Sequence, residues 1–541
     1  MNMRSKVAAA AATVAIVATA ALPAHAIETP TYVEAVASGV SLKVLSTAGD
    51  SINGYQIAGV PDGTGAFKSG SSVKLLMNHE LSYGTVSSTL QRAGGAAFGA
   101  TVTEFTIDPA TQKVTDAKEF LKSAVFYDYS TKTFGSTPGA PAGTAQKDAY
   151  GTPQHTNFLN RFCSASLAPA GRFSYTDPKT KKVYGIKDAV YLTGEEGGDE
   201  SRGFAVNAAG QIAQIPKLGL AAWETFVAVP TATKTTALFG NEDGSATDSQ
   251  LWLYQGTKTN TGTWYDRAGL TNGKTYVMSI NGLKTEAEFR SLVGKGKVTD
   301  VQFKAVDTSV NGVEQNKQAA LFGTSLARVE DGAFDPNNPR DYYFVTTESN
   351  KDKNATALDP NNKLVTKRDG GALWRLRLAD AKSPAKGGEL TMLLDGSEAP
   401  YMNKPDNIEV DGYGNILIEE DPGNNPQVER MFAYRIKDGK IAVMTQFKAS
   451  MFSKAAASAD FITEDEEQSG ILNVTSIMRT SKTDTNFYFV LNAQVHATGA
   501  DLLKSRPDIT TDAGKAALLN AIEGGQLYLM TVTNWAAVYG G

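Results

Sequence analysis

The sequence predicts an all-β fold, a single β-propeller carrying short helical insertions, from three observations: compact apolar runs bounded by turn residues, few helical stretches, and a length beyond one ordinary sandwich. The runs include Val73-Lys74-Leu75-Leu76-Met77, Ala189-Val190-Tyr191-Leu192, Tyr342-Tyr343-Phe344-Val345 and Phe487-Tyr488-Phe489-Val490. Each is flanked by Gly, Asn, Asp, Ser or Thr, the residues that end strands. Asp411-Gly412-Tyr413-Gly414-Asn415 and Lys437-Asp438-Gly439-Lys440 read as hairpin connections, and Asp335-Pro336-Asn337-Asn338-Pro339 as a rigid surface turn. Leu373-Trp374-Arg375-Leu376-Arg377 and Leu527-Tyr528-Leu529-Met530-Thr531 alternate as strands with two unlike faces should. Short helices are expected over 285–293 and 512–523. No strict repeat is visible, but radial repetition lets one domain grow to this size, and no Pro/Ser-rich linker divides the chain into two sandwiches.

The first 26 residues read as a signal peptide. Arg4 and Lys6 precede an uninterrupted run of small and apolar residues over 7–22, and Pro23 then leads into Ala24-His25-Ala26. The run is Ala-rich and short for a membrane anchor. Its removal leaves residues 27–541 as one propeller and takes Arg4 and Lys6 with it, moving the net charge from −5 to −7. No later stretch is long and apolar enough to span a bilayer, so a secreted, periplasmic or cell-surface protein is expected. The mildly acidic charge and the absence of basic tracts argue against nucleic acid as a partner.

Cys163 is the only cysteine, which excludes an internal disulfide. His79, His155 and His496 are the histidines beyond residue 26, too few for a Cys/His zinc site. Any metal must therefore be held mainly by carboxylates, the ligands of hard cations. Carboxylate-rich loops follow apolar runs along the whole chain: Asn78-His79-Glu80, Glu195-Glu196, Asn241-Glu242-Asp243, Glu330-Asp331, Asp406-Asn407, Glu419-Glu420-Asp421 and Glu464-Asp465-Glu466-Glu467. One such loop is more often a solvated turn than a ligand. A propeller, however, brings its inner strand ends to one channel, where distant segments can pool their carboxylates. Neighbours on a strand point to opposite faces, so one residue of Glu195-Glu196 should face that channel. Cys163 itself has three readings: a small buried hydrophobe, half of a Cys-His pair with His155, or a ligand.

Several segments resemble motifs of the PhoX family of bacterial alkaline phosphatases, in the family's order and over nearly the whole mature chain. They are Leu75-Leu76-Met77-Asn78-His79-Glu80, Tyr191-Leu192-Thr193-Gly194-Glu195-Glu196, Ala222-Trp223-Glu224, Arg328-Val329-Glu330-Asp331-Gly332, Gly371-Ala372-Leu373-Trp374-Arg375-Leu376, Pro405-Asp406-Asn407-Ile408, and the run from Phe461 to Ile471. The resemblance implies six blades, a channel cluster of Fe3+ and Ca2+, and hydrolysis of phosphomonoesters and sometimes diesters, with small phosphorylated substrates. It implies Cys163 as a thiolate ligand of iron, Glu242 as a bridging ligand, Asp406 as a further iron ligand, and Glu80, Glu195 and Glu330 as carboxylates around the cluster. Arg328 matches the arginine that holds the substrate phosphate. The chain departs from the family at Gly194, where a second cysteine is usual, and at Leu167-Ala168-Pro169-Ala170-Gly171, where Pro-Trp-Gly-Thr is usual. A phosphate-binding lysine has no match, and His155 stands near its place as the second catalytic candidate. A calcium-binding propeller without catalysis, acting as a scaffold at the cell surface, is the competing class; it needs neither Arg328 nor Cys163.

Overall fold

The computed structural model describes residues 29–540, apart from 84–85, 93–94, 150, 349–356, 359–363 and 366–368. The signal-peptide segment lies outside the described residues. Strands dominate, and among the described residues the strands pair antiparallel except where Ser123–Asp128, next to the edge strand Thr133–Gly135, pairs in parallel with Gln211–Gln214.

Among the described residues, six strands take the innermost positions: β1 (Pro61–Ser69), β2 (Phe162–Ala168), β3 (Trp223–Ala228), β4 (Val329–Asp335), β5 (Pro405–Val410) and β6 (Glu466–Asn473). Each packs against the next, and β6 packs back on β1, which closes a ring. Proline opens β1 and β5, where an inner-edge strand leaves its missing N–H without consequence. The ring is tight. A Cβ at Gly63 of β1 would stand 2.1 Å from the Ala165 nitrogen of β2, and one at Gly470 of β6 would stand 2.5 Å from the Asp62 carbonyl oxygen.

Outward from the ring, hairpins build each sheet. Lys440 follows Arg435 across the turn read from Asp438-Gly439, with Gly439 at φ +72°. The Asp411–Gly414 turn joins β5 to Asn415–Glu420, and Asp335 pairs with Asn338 across the Pro336-Asn337 turn. Apolar side chains fill the space between neighbouring sheets. Phe239, Tyr342, Phe344 and Trp374 stack in a ladder inside the one nine-stranded sheet that has β3 and β4 at its two edges, with successive ring planes within 23° of parallel. Trp374 and Leu376 are buried while Arg375 and Arg377 are partly exposed, as alternation predicted. Leu527–Thr531 differs. Gly524–Val532 is buried at nearly every position, because both of its faces are covered by neighbouring sheets.

The N-terminal segment closes the structure. Val40–Thr47 adds the outer strand to the β6 sheet beside Gly524–Val532, and Val33–Ala35 pairs with Lys440–Phe447 of the β5 sheet. The helix expected at 285–293 is Glu286–Leu292, opened by a capping box between Thr285 and Glu288. The C-terminal one is Asp512–Leu519, capped by Thr511. Gly312–Phe322 is a longer helix that the sequence did not announce.

Candidate active site

The second residue of every inner strand is an acid or the cysteine: Asp62, Cys163, Glu224, Glu330, Asp406 and Glu467. Pairing with the neighbouring strand slips at this end in five of the six, between Pro61 and Thr64, Phe162 and Ala165, Trp223 and Thr225, Val329 and Gly332, and Pro405 and Ile408, whereas in β6 the slip comes further along, between Ser469 and Leu472, and Glu467 pairs regularly with Gln494. Bulges re-aim a side chain from the regular alternation of a sheet, and five of them fall at this position. The ligand atoms of Asp62, Glu80 and Cys163 lie within 4.8 Å of one another, and so do those of Glu224, Glu330 and Asp406.

These groups are buried without enough partners. Cys163 Sγ donates to Asp62 Oδ2 at 3.2 Å, and Gln494 Nε2 reaches the same oxygen at 3.0 Å. Asp62 Oδ1, Glu224 Oε1 and Glu419 Oε1 accept no hydrogen bond. Burial and mutual repulsion push Asp62, Glu224, Glu330, Asp406 and Glu467 well above the usual carboxylate range. Burial, then the charges of Asp62 and Glu224, push the Cys163 thiol up as well. Such a set is stable ionised only around cations.

Two arginines stand over the ring. Arg328 immediately precedes β4 and Arg161 immediately precedes β2, and both are left-handed, at φ +61° and +42°. Val60 before β1 and Lys404 before β5 share that conformation. A left-handed non-glycine residue costs on the order of 1 kcal/mol, so the surrounding ring imposes it. The Arg328 fork grips Asp243 at 2.7 Å through Nε and Nη2, and Nη2 lies 3.3 Å from Glu330. Arg161 Nη2 is 2.6 Å from Glu80 and 2.5 Å from Glu196. Both guanidinium groups line a cavity of about 680 Å³, together with Glu196, Asp243, Asn160 and residues of the outer loops. The cavity thus opens onto two arginines, and the arginines touch the carboxylates of both buried sets.

A family model described as alkaline phosphatase PhoX matches residues 206–483, half of the chain. The chain belongs to the PhoX alkaline phosphatase family. PhoX of Pseudomonas fluorescens, solved in complex with vanadate, a transition state analogue, superposes with a TM-score of 0.59 at 12% identity, covering 95% of this chain and 98% of that one. A luciferin-regenerating enzyme aligns with a TM-score of 0.32 at 9% identity, over 91% of this chain and 95% of its own. No curated protein matches the sequence. The fold is thereby a PhoX propeller, and the protein is a phosphoric ester hydrolase.

Within this PhoX chain, Glu80, Cys163, Glu330 and Asp406 fall in the two buried sets and Arg328 lies over them. Three expected site residues sit elsewhere. Glu195 is gripped by the buried Arg202, at 2.8 Å and 2.6 Å, and accepts the Asn160 and Arg202 backbone N–H groups, so its oxygens are already used. Its neighbour Glu196 takes the cavity side instead. Glu242 lines the cavity, but its carboxyl, raised to about 8 by burial, accepts from Trp252 Nε1 at 2.7 Å and the Gln250 N–H at 2.9 Å, outside both sets. His155 is buried beside the cavity, not in it. Its Nε2 lies 3.3 Å from Glu200, and the nearby chain positions Asp148 and Thr152 line the cavity in its place. Glu224 stands in a family-like motif and Glu467 in a carboxylate-rich run, but the sequence assigns neither of them a site role, and it gives none to Asp62 or Arg161. Pro61-Asp62-Gly63 reads as a turn by composition, and only the shared place on the inner strands marks these residues as a set.

Proposed function

We propose that this chain is an exported phosphomonoesterase whose ring of carboxylates and one thiol holds iron and calcium. One observation carries the reading: two buried acidic sets, one containing the thiol, lie directly beneath two cavity-facing arginines. The residues fit such a cluster. Ionised oxygens without partners, at Asp62 and Glu224, need a cation to be tolerable in a buried ring. A thiolate beside two carboxylates suits ferric iron, and the all-carboxylate set of Glu224, Glu330 and Asp406 suits calcium. Bound there, the cations would supply Lewis acidity and positive charge toward the phosphoryl oxygens.

The remaining work falls to the chain's own side chains. Arg161 and Arg328 present planar forks that grip phosphate oxygens and stay charged at alkaline pH. Glu196 and Asp243 hold those forks in place over the ring, so the grip needs little reorganisation when charge builds on the transferring group. Arg161 supplies the second cation that the missing family lysine would have given. In hydrolysis the oxygen of water bonds to phosphorus and the ester P–O bond breaks. The alcohol leaves with one proton of that water, and orthophosphate keeps the other.

Elemental analysis and turnover of p-nitrophenyl phosphate on the same preparation test this. The expected result is iron and calcium together, with activity. Chelation should abolish turnover and lower Tm, because the metals bind only the folded chain, and adding both metals back should restore both. Metal-replete protein that cleaves no phosphate ester would overturn the reading.

A further inference from the structure

The outer wall of the cavity carries the opposite charge from its floor. Asp199 and Asp248 are exposed, come from loops of different sheets, and line the cavity above Arg161 and Arg328, with Asp148 on a third loop. Among the described residues neither Asp199 nor Asp248 is paired with a cation. Asp248 takes only the Gln250 amide at 3.2 Å through its side chain, and Asp199 has no side-chain hydrogen bond. The loops around Asp199 still desolvate it in part, and it lies close enough to Asp248 and Glu200 that this partial burial, then their charges, raise its carboxyl above the usual range. Each of two like charges side by side disfavours the other's ionised form, and a cation brought near them relieves that repulsion. Tyr83 adds an aromatic ring to the same wall, held edge-on against Phe158 with centroids 5.5 Å apart. Carboxylates beside a π surface are a setting that attracts an ammonium group.

The floor and wall together therefore describe a ligand with two ends. A phosphate meets the two guanidinium groups, and the alcohol it is esterified to points outward past the aspartates. A cavity of about 680 Å³ has room for both. We propose that the preferred substrates are phosphomonoesters whose alcohol carries an ammonium group, and that esters bearing further phosphates are disfavoured. This rests on the phosphomonoesterase reading above, which supplies the inner end. A second phosphate on the alcohol would lie against the acidic wall, where like charges repel, whereas an ammonium is drawn to it. Exposed carboxylates act through solvent, so each contributes about threefold, more at low salt than at high.

The test compares kcat/KM for O-phosphoethanolamine, sn-glycerol 3-phosphate and inositol hexakisphosphate at low ionic strength and fixed metal loading. The wild type should favour O-phosphoethanolamine over glycerol 3-phosphate by about tenfold, with inositol hexakisphosphate far behind. In the double variant Asp199→Asn/Asp248→Asn that preference should shrink to near unity, and inositol hexakisphosphate should gain. Asparagine keeps the shape of these exposed side chains, and an unchanged Tm would show that the fold survives. A wild-type ratio near one, or a ratio that the double variant leaves untouched, overturns the proposal. Failure to cleave any of the three and p-nitrophenyl phosphate as well would instead sink the phosphomonoesterase reading.

Discussion

At Arg161 and Arg328 the chain turns left-handed in the step before an inner strand, and this places each guanidinium over the ring rather than along the sheet. Arg328→Ala should lower kcat/KM about a hundredfold, the usual effect of removing one donor to developing charge, and Arg161→Ala should do the same. Arg328→Lys should recover only part, because a point charge cannot grip two oxygens as a fork does. Metal analysis of each variant separates the roles. Retained metal with lost turnover marks a phosphate-gripping residue, and metal loss would make the arginine a partner of Glu330 or Glu80 only. That Arg328 lies beside Glu330 at the cavity was legible because it stands two residues before Glu330 in a motif resembling the family's. Arg161 was not, since nothing in Asn160-Arg161-Phe162-Cys163 shows that its backbone reverses and sends the side chain inward.

Strand ends in the β6 sheet are tied by one ion pair. His496 follows Phe487–Val495, Glu523 precedes Gly524–Val532, and Nδ1 stands 2.7 Å from the Glu523 carboxylate. Burial alone would lower the His496 pKa. The hydrogen bond and charge of Glu523, helped by Glu80 and Asp465, outweigh it and raise the value to about 9. The folded-state value lies above the unfolded one, so the pair stabilises fully below about pH 6.5 and the contribution fades as pH rises through about 9. His496→Gln should therefore lower Tm at pH 6 and leave it near the wild-type value at pH 10; a Tm difference independent of pH would refute this. Elements were legible where a local signal marks their ends, as with the Thr285–Glu288 capping box and the Asp438-Gly439 turn. Gly312–Phe322 escaped because its sequence has little apolar periodicity. It forms against the Val298–Val306 strand, with the Asn311 side chain accepting the Glu314 N–H, and so owes its helix to packing and a cap.

The whole molecule is closed by its N-terminal strands, which complete the β6 sheet and extend the β5 sheet. Tyr32, between them in space, is fully buried and packs edge-on against Phe452, with its backbone N–H 2.8 Å from the Tyr528 hydroxyl. Deleting residues 29–47 should lower Tm by roughly 10 °C or more, since it strips two strands and a buried aromatic from the closure. An unchanged melting curve would show that the ring closes without them. The sequence by itself determined the strand-rich class, most turns, the carboxylate-rich loops and the family, because these depend on composition, local period and short motifs. The ring was decided only in three dimensions. Asp62, Cys163, Glu224, Glu330, Asp406 and Glu467 are separated by unequal stretches of chain, so no period marks them, yet each is the second residue of an inner strand. The same holds within the acidic pairs. Alternation says that one of Glu195 and Glu196 faces the cavity, but the choice depends on where Arg202 and Arg161 lie, and only packing sets that.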